Sequence, residues 1–416
     1  MAAVEITEET RQPAERIGSA DVVVGIAGAV PVDELRPRAA RTLQELGSGV
    51  SSLRVVFAWP EAGTDAAAKT ATENPALHLV PFSPPAQGTA EFWAGVSAHQ
   101  RAVLNLAASL NARVCIVLGS DLAALNAHAI QLFSYAVLER QCGLVMPVYP
   151  ASRYDGLINS GILSPLSRAL YGKRVRYPIT FDFAASGALC ASLARTNPVQ
   201  ESSGNALLWP ITVAATQHAQ TAIGQVHLNV HHKVATEGLE LSTVLGQLTG
   251  SLFQEMDLCA SHWQRIRGSQ PAPAWGTVAE TEAEPQPIDP QPMLDSFLLG
   301  SKNLDEVWRL ILPPNTLLEL RRLTRLAPEQ FRIPDDLWAS IVYDFALAYR
   351  LRTINRGHVL GAFTPLYLGW VASYVGEVSR LTNAATEQRL EQCARAWEEK
   401  KPYLLSRWRW PDRFNP

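Results

Sequence analysis

The chain has 416 residues, 47% of them hydrophobic and 18% charged, with a formal net charge of −3 at pH 7. That length allows a full core and two domains of ordinary globular composition, and the near-balanced charge gives no reason to expect a nucleic-acid partner or an anionic membrane surface. Cys115, Cys142, Cys190, Cys259 and Cys393 are dispersed without a Cys-x-x-Cys pair, which argues against a disulfide framework or zinc site and for buried free thiols in a reducing cytoplasm.

Residues 1–20 are polar and lack the basic start and apolar centre of a signal peptide. No apolar run, 364–375 included, is long enough to predict a transmembrane segment. A cytoplasmic protein is therefore expected. The first strand is predicted over 21–27 (DVVVGIA), followed by a helix over 36–46 with Pro37 in its first turn. Strands follow at 53–58 and 77–82, then a long helix at 91–110. A fourth strand over 113–118 (RVCIVL), a helix over 123–140 and a fifth strand over 143–148 complete an alternating pattern. Such alternation predicts crossover units and a mainly parallel sheet.

Beyond Pro150, helices are expected over 155–171, 186–195, 209–221 and 239–266, with one alternating strand over 225–231 (QVHLNVH). The stretch 268–292 is rich in Pro and Glu and reads as a flexible linker. After it, Leu337, Ile341, Val342, Phe345 and Tyr349 recur at helical spacing, and the remainder reads as helix. Trp338, Tyr343, Tyr367, Trp370, Tyr374, Trp397, Tyr403, Trp408 and Trp410 predict a packed core or an interface more readily than a sugar platform. The organisation read here is a tail 1–20, an α/β domain 21–267, a linker 268–292 and a helical domain 293–416.

The fourth strand runs into Gly119-Ser120-Asp121. A carboxylate at the carboxyl end of a buried strand stands where open α/β sheets bind ligands. Asp121 reads equally well as the N-cap of the helix that follows.

Three blocks carry a family resemblance. One is 149–187, with Tyr154-Asp155-Gly156-Leu157-Ile158-Asn159, the run 165–176 (PLSRALYGKRVR) and Pro178-Ile179-Thr180-Phe181-Asp182-Phe183. Another is 101–122. The third joins Leu337-Trp338, 342–346 (VYDFA), 364–369 (TPLYLG) and Lys401-Pro402-Tyr403-Leu404. Together they resemble bacterial family-2-like glycosyltransferases of the GT-A fold, in the branch related to mannosylglycerate synthase and glucosyl-phosphoglycerate synthase.

The resemblance implies a GT-A (Rossmann-like) sheet flanked by helices, then an all-helical C-terminal domain. It implies transfer of a sugar from a nucleotide-diphosphate sugar to a small polar or anionic acceptor, with a divalent cation, Mg or Mn, offsetting charge on the leaving diphosphate. By the same resemblance, Asp182 is the acid beside the donor sugar. Gly25, Ala27, Ser120 and Asp121 line the nucleotide. Asp121 and His232 are the metal candidates, with His227 and His231 nearby. Tyr154, Asp155, Asn159, Arg174 and Arg176 face the acceptor, Tyr154, Asp155 and Asn159 from one helix. Those arginines read alternatively as structural partners of Asp155 and Asp182. Where relatives carry Asp, Lys, Asp and His, this chain has Gly119, Val96, Leu207 and Lys233. These replacements leave a second reading open, a catalytically degenerate homologue acting as a binding, scaffold or regulatory subunit. The aromatic C-terminal helices point to a homo-oligomer or a protein partner.

Overall fold

The computed structural model describes residues 15, 17–28, 30–46, 53–60, 78–82, 92–195, 207, 209–230, 240–277 and 286–410. The chain forms two compact units: residues 1–150, 177–236 and 272–280, and residues 151–176, 237–271 and 281–416.

The first unit is built on one sheet. Its strands are β1 (Val22–Ala27), β2 (Val55–Pro60), β3 (His78–Phe82), β4 (Val114–Gly119), β5 (Cys142–Val148), β6 (Phe183–Ser186), β7 (Ala222–His227) and β8 (Ala274–Trp275). They lie in the order β8-β7-β5-β6-β4-β1-β2-β3. Every neighbouring pair is parallel except those of β6, which runs antiparallel to both β4 and β5. The helices are α1 (Val32–Leu46), α2 (Phe92–Ser109), α3 (Ala127–Leu138), α4 (Gly187–Arg195) and α5 (Pro210–Gln217).

The central strands are apolar at every position because both faces are covered. Val22, Val24 and Ile26 of β1 join Leu35 and Ala39 of α1 and Ile130 and Phe133 of α3 in one core. Gly25 points to the opposite face, where a Cβ would lie 2.2 Å from Cγ1 of Val103 on α2. Glycine there lets the helix approach the strand. The sheet and its helices thus form the mainly parallel α/β architecture expected.

Several elements differ from expectation. β6 is a strand where the sequence shows only a short FAAS segment. It forms because Val114, Cys115, Ile116 and Val117 of β4 supply a ladder partner from far along the chain. The seventh strand begins at Ala222 rather than 225. Within 268–277, read as linker, Gln270–Pro271 pairs with Lys173–Arg174 and β8 pairs with β7.

The second unit is helical. It contains Ser164–Tyr171, Leu241–Leu258, Gln291–Asn303, Asp305–Ile311, Pro314–Leu323, Asp335–Leu351, Arg356–Val378 and Asn383–Arg409. The helix expected over 239–266 stops at Leu258, and Ala260–Trp263 forms a separate turn after Cys259. The aromatic residues of the C-terminal helices are core. Trp338 stacks on Trp370 at 5.9 Å and Trp370 on Tyr374 at 5.3 Å, all three buried. Trp410 alone of the aromatic set is largely exposed, at 70%. The bulk that pointed to a partner is therefore taken up in the unit's own interior.

Among the described residues one helix, Arg356–Val378, is long and apolar enough by length and composition to cross a membrane, contrary to the expectation above, but 67% of its apolar window is buried within the fold. All five cysteines are free, and only Cys259 is not fully buried.

Candidate functional site

The order of the strands locates a crevice before any side chain is considered. From β1 the chain steps outward to β2 and β3, then returns to place β4 on the other side of β1. Crossovers leaving in opposite directions open a gap at the carboxyl ends of β1 and β4, where α/β sheets receive ligands. The residues at that gap are Ala27-Gly28 on one side and Gly119-Ser120-Asp121 on the other, Ala27 being paired with Gly119.

Beyond β4 the chain does not enter the next helix directly. The Leu122 N–H donates to the Gly119 carbonyl at 3.3 Å, closing a turn, with Leu122 itself at φ 56°. Asp121 Oδ1 accepts the Ala123 N–H at 3.1 Å. The helix α3 starts only at Ala127, and its N-cap is Asn126, whose side chain accepts the Ala129 N–H at 2.9 Å. Asp121 is therefore not the cap of that helix. It is a turn residue, partly exposed, beside the exposed Ser120.

Gly28 and Ser120 meet across the gap. A Cβ on Gly28 would lie 2.5 Å from Ser120 Cβ and 3.0 Å from its Oγ, and Gly28 has φ 157°. The backbone groups of Gly25 and Ala27, expected at the nucleotide, face neighbouring strands: Gly25 pairs with Ala58 and Val117, and Ala27 with Gly119. Gly28, the first residue beyond the β1 ladder, leads into the crevice.

Asp182 lies behind this edge and is fully buried. Because β6 is antiparallel, the residue before it sits between the carboxyl ends of β4 and β5. Asp182 Oδ1 accepts the Gly119 N–H at 2.7 Å, and Oδ2 accepts the Tyr149 hydroxyl at 2.8 Å. The Thr180 hydroxyl donates to the Asp182 carbonyl, and Gln100 Nε2 on α2 donates to the Thr180 carbonyl at 3.2 Å. Burial pushes the Tyr149 phenol well above its ordinary range, reinforced by the Asp182 charge and, more weakly, by Asp121. The phenol therefore stays a hydrogen-bond donor. Its ring packs on Tyr177 at 5.5 Å. Tyr149 was not singled out from sequence as a site residue; its place directly after β5, on the same sheet edge as Asp121, is the signal that would have found it.

The described residues do not fit a divalent cation by themselves. Among them, no group of three His, Cys, Asp or Glu side chains converges. Asp182 has both carboxylate oxygens engaged by protein donors, leaving Asp121 as the carboxylate on the open side of the edge. His227 ends β7, half-buried, and burial lowers its pKa. His231, His232 and Lys233 lie outside the described residues. Val96 is inside α2, and Leu207 is buried.

The expected acceptor residues belong to the second unit. Tyr154 and Asp155 are not on a helix with Asn159. They form a turn ending at Gly156, φ 61°, in which Asp155 Oδ2 accepts the Ser152 N–H at 2.7 Å. That contact and the left-handed glycine delay the helix, and Asn159 opens a π-helical turn, Asn159–Leu163. Arg174 Nε donates to Ser269 Oγ at 2.9 Å. Arg176 donates to Ser160 Oγ at 3.0 Å and to Glu387 at 3.4 Å. These partners are residues of the helical unit.

No protein-family model and no curated protein matches the chain. Among solved structures, it is similar to glucosyl-3-phosphoglycerate synthase from Mycobacterium tuberculosis in complex with Mg2+ and UDP, at 14% identity, over 60% of this chain and 83% of that one, with a TM-score of 0.41. The same synthase with Mn2+, UDP and phosphoglyceric acid gives 15% identity, 59% and 82% coverage and a TM-score of 0.40. With UDP alone it gives 16%, 62%, 84% and 0.39.

Proposed function

We propose that the first unit binds a nucleotide-diphosphate sugar in the crevice between the ends of β1 and β4, and that the protein transfers the sugar to a small polar or anionic acceptor. The observation that carries this reading is the convergence of Gly28, Ser120 and Asp121 at the point where the strand order reverses. The absence of a Cβ at Gly28 lets Ser120 close against the end of β1. Ser120 supplies a hydroxyl, and the partly exposed Asp121 carboxylate is placed to accept hydrogen bonds from ribose or sugar hydroxyls. Orientation of this kind raises the rate by presenting the anomeric carbon to the acceptor.

Asp182 acts in this account as a positioning residue. Its carboxylate fixes Gly119, and so the turn that carries Ser120 and Asp121, and it fixes the phenol of Tyr149. Asp121 is the carboxylate at this edge that would hold a divalent cation. The test is calorimetry of the full chain with UDP, with and without manganese, followed by an assay for hydrolysis of UDP-sugars. Binding with turnover supports the transferase. Binding without turnover on any donor and acceptor identifies the catalytically degenerate alternative. Absence of binding at millimolar UDP in both conditions removes the reading.

A further inference from the structure

We propose that the helical unit carries a second ligand site, a cleft that takes a small phosphate monoester with an apolar body. A cavity of about 670 Å³ opens among Gln291–Asn303, Asp305–Ile311 and Pro314–Leu323. That volume falls within the range of small-molecule sites. Leu298, Trp308, Leu317 and Leu320 form its apolar wall. Trp308 is buried and its Nε1 donates to the Ala362 carbonyl at 2.9 Å, which fixes the ring.

The rim is cationic. Lys302, Arg309 and Arg321 line it with one acid, Asp305. Asp305 stands between the two guanidinium groups, at 2.5 Å from Arg309 Nη2 and 3.1 Å from Arg321 Nη2. The hydrogen bonds from Arg321 and Arg309 hold its carboxyl below the usual carboxylate range. It therefore stays charged and sets the direction of the arginines without balancing the rim. Arg321 contacts Asp305 through Nη2, and its Nη1 hydrogens remain to donate to a phosphate oxygen. Lys302 makes no ion pair among the described residues. Three cations against one carboxylate suit a dianion, and the adjoining leucines and Trp308 suit a hydrocarbon body. The cleft uses nothing from the sheet edge, so it stands or falls independently of the transferase reading.

The test uses the full chain and three probes: phenyl phosphate, inorganic phosphate and benzyl alcohol, titrated by ligand-observed NMR. Phenyl phosphate is expected to bind, about fivefold or more tighter than inorganic phosphate, with no binding of benzyl alcohol. Arg321→Gln and Lys302→Gln are each expected to weaken it about fivefold or more with unchanged circular dichroism and Tm. Arg322→Gln, on the same helix but paired with Glu319 outside the cleft, is expected to leave it unchanged. No phenyl phosphate binding up to about 10 mM, or binding indifferent to both Arg321→Gln and Lys302→Gln, overturns the proposal. Equal affinity for inorganic phosphate overturns the apolar-body part of it.

Discussion

Asp182 Oδ1 receives the N–H of Gly119 at 2.7 Å, a bond between residues 63 positions apart that continues the β4–β6 ladder one step beyond the strand. With Tyr149 on the other oxygen, one buried carboxylate ties together three chain segments at the ligand edge. Removing it strands the buried Gly119 N–H and the half-buried Tyr149 hydroxyl. Asp182→Ala is expected to destabilise the fold by about 2–4 kcal/mol, and Asp182→Asn, which retains an acceptor for Gly119, by about 1–2 kcal/mol. Urea unfolding with an unchanged m-value measures both. Equal stability of Asp182→Ala and wild type would return Asp182 to a purely catalytic role.

The close approach of Gly28 to Ser120 predicts a rescue. Gly28→Ala puts a methyl group 2.5 Å from Ser120 Cβ, a contact that must push the turn away at a cost of about 1–3 kcal/mol. Ser120→Gly removes the opposing atoms and should restore most of that loss in the double variant. Additive losses in a double-mutant cycle would mean that the two residues do not meet.

Lys401 predicts a pH dependence. Its buried ammonium donates to the carbonyls of Ala169 at 2.6 Å and Ile266 at 3.0 Å. Burial, aided by Arg267, lowers its pKa from 10.5 to about 8. The unfolded chain then binds more protons than the folded one between those values, so stability rises with pH across the window. The rise attributable to Lys401 is at most about 3 kcal/mol. Lys401→Met should lack it, and the difference in unfolding free energy between the two proteins at pH 7.5 and pH 10 measures it. A wild-type stability that does not rise relative to Lys401→Met between those pH values contradicts the assignment.

The strands of the sheet were legible because each central one is buried on both faces and reads as an unbroken apolar run, as in 113–118. β6 was not legible: four residues, three of them small, show no period of their own, and the partner strand is distant in the chain. Asp121 stands out by its position at the end of β4, but of its two readings the helix cap does not hold. Asp and Asn both favour caps, and nothing in the sequence shows that Leu122 turns left-handed and delays the helix to Asn126. The grouping of Asp155 with Asn159 failed for a related reason, since Gly156 takes a positive φ that breaks the expected helix between them. Tyr149 and Gly28 escaped notice because their importance is a matter of contact across strands, which periodicity does not record.

The central claim is that the crevice between β1 and β4 receives a nucleotide diphosphate beside Asp121. The most direct measurement is the UDP affinity of wild type and Asp121→Asn by calorimetry in the presence of manganese. Asparagine keeps an oxygen for the Ala123 N–H and removes only the charge. The account predicts binding by wild type and a loss of about tenfold or more in the variant, equivalent to about 1.4 kcal/mol, at unchanged Tm. Equal affinity of the two proteins, or no UDP binding by wild type at millimolar concentration, would contradict it.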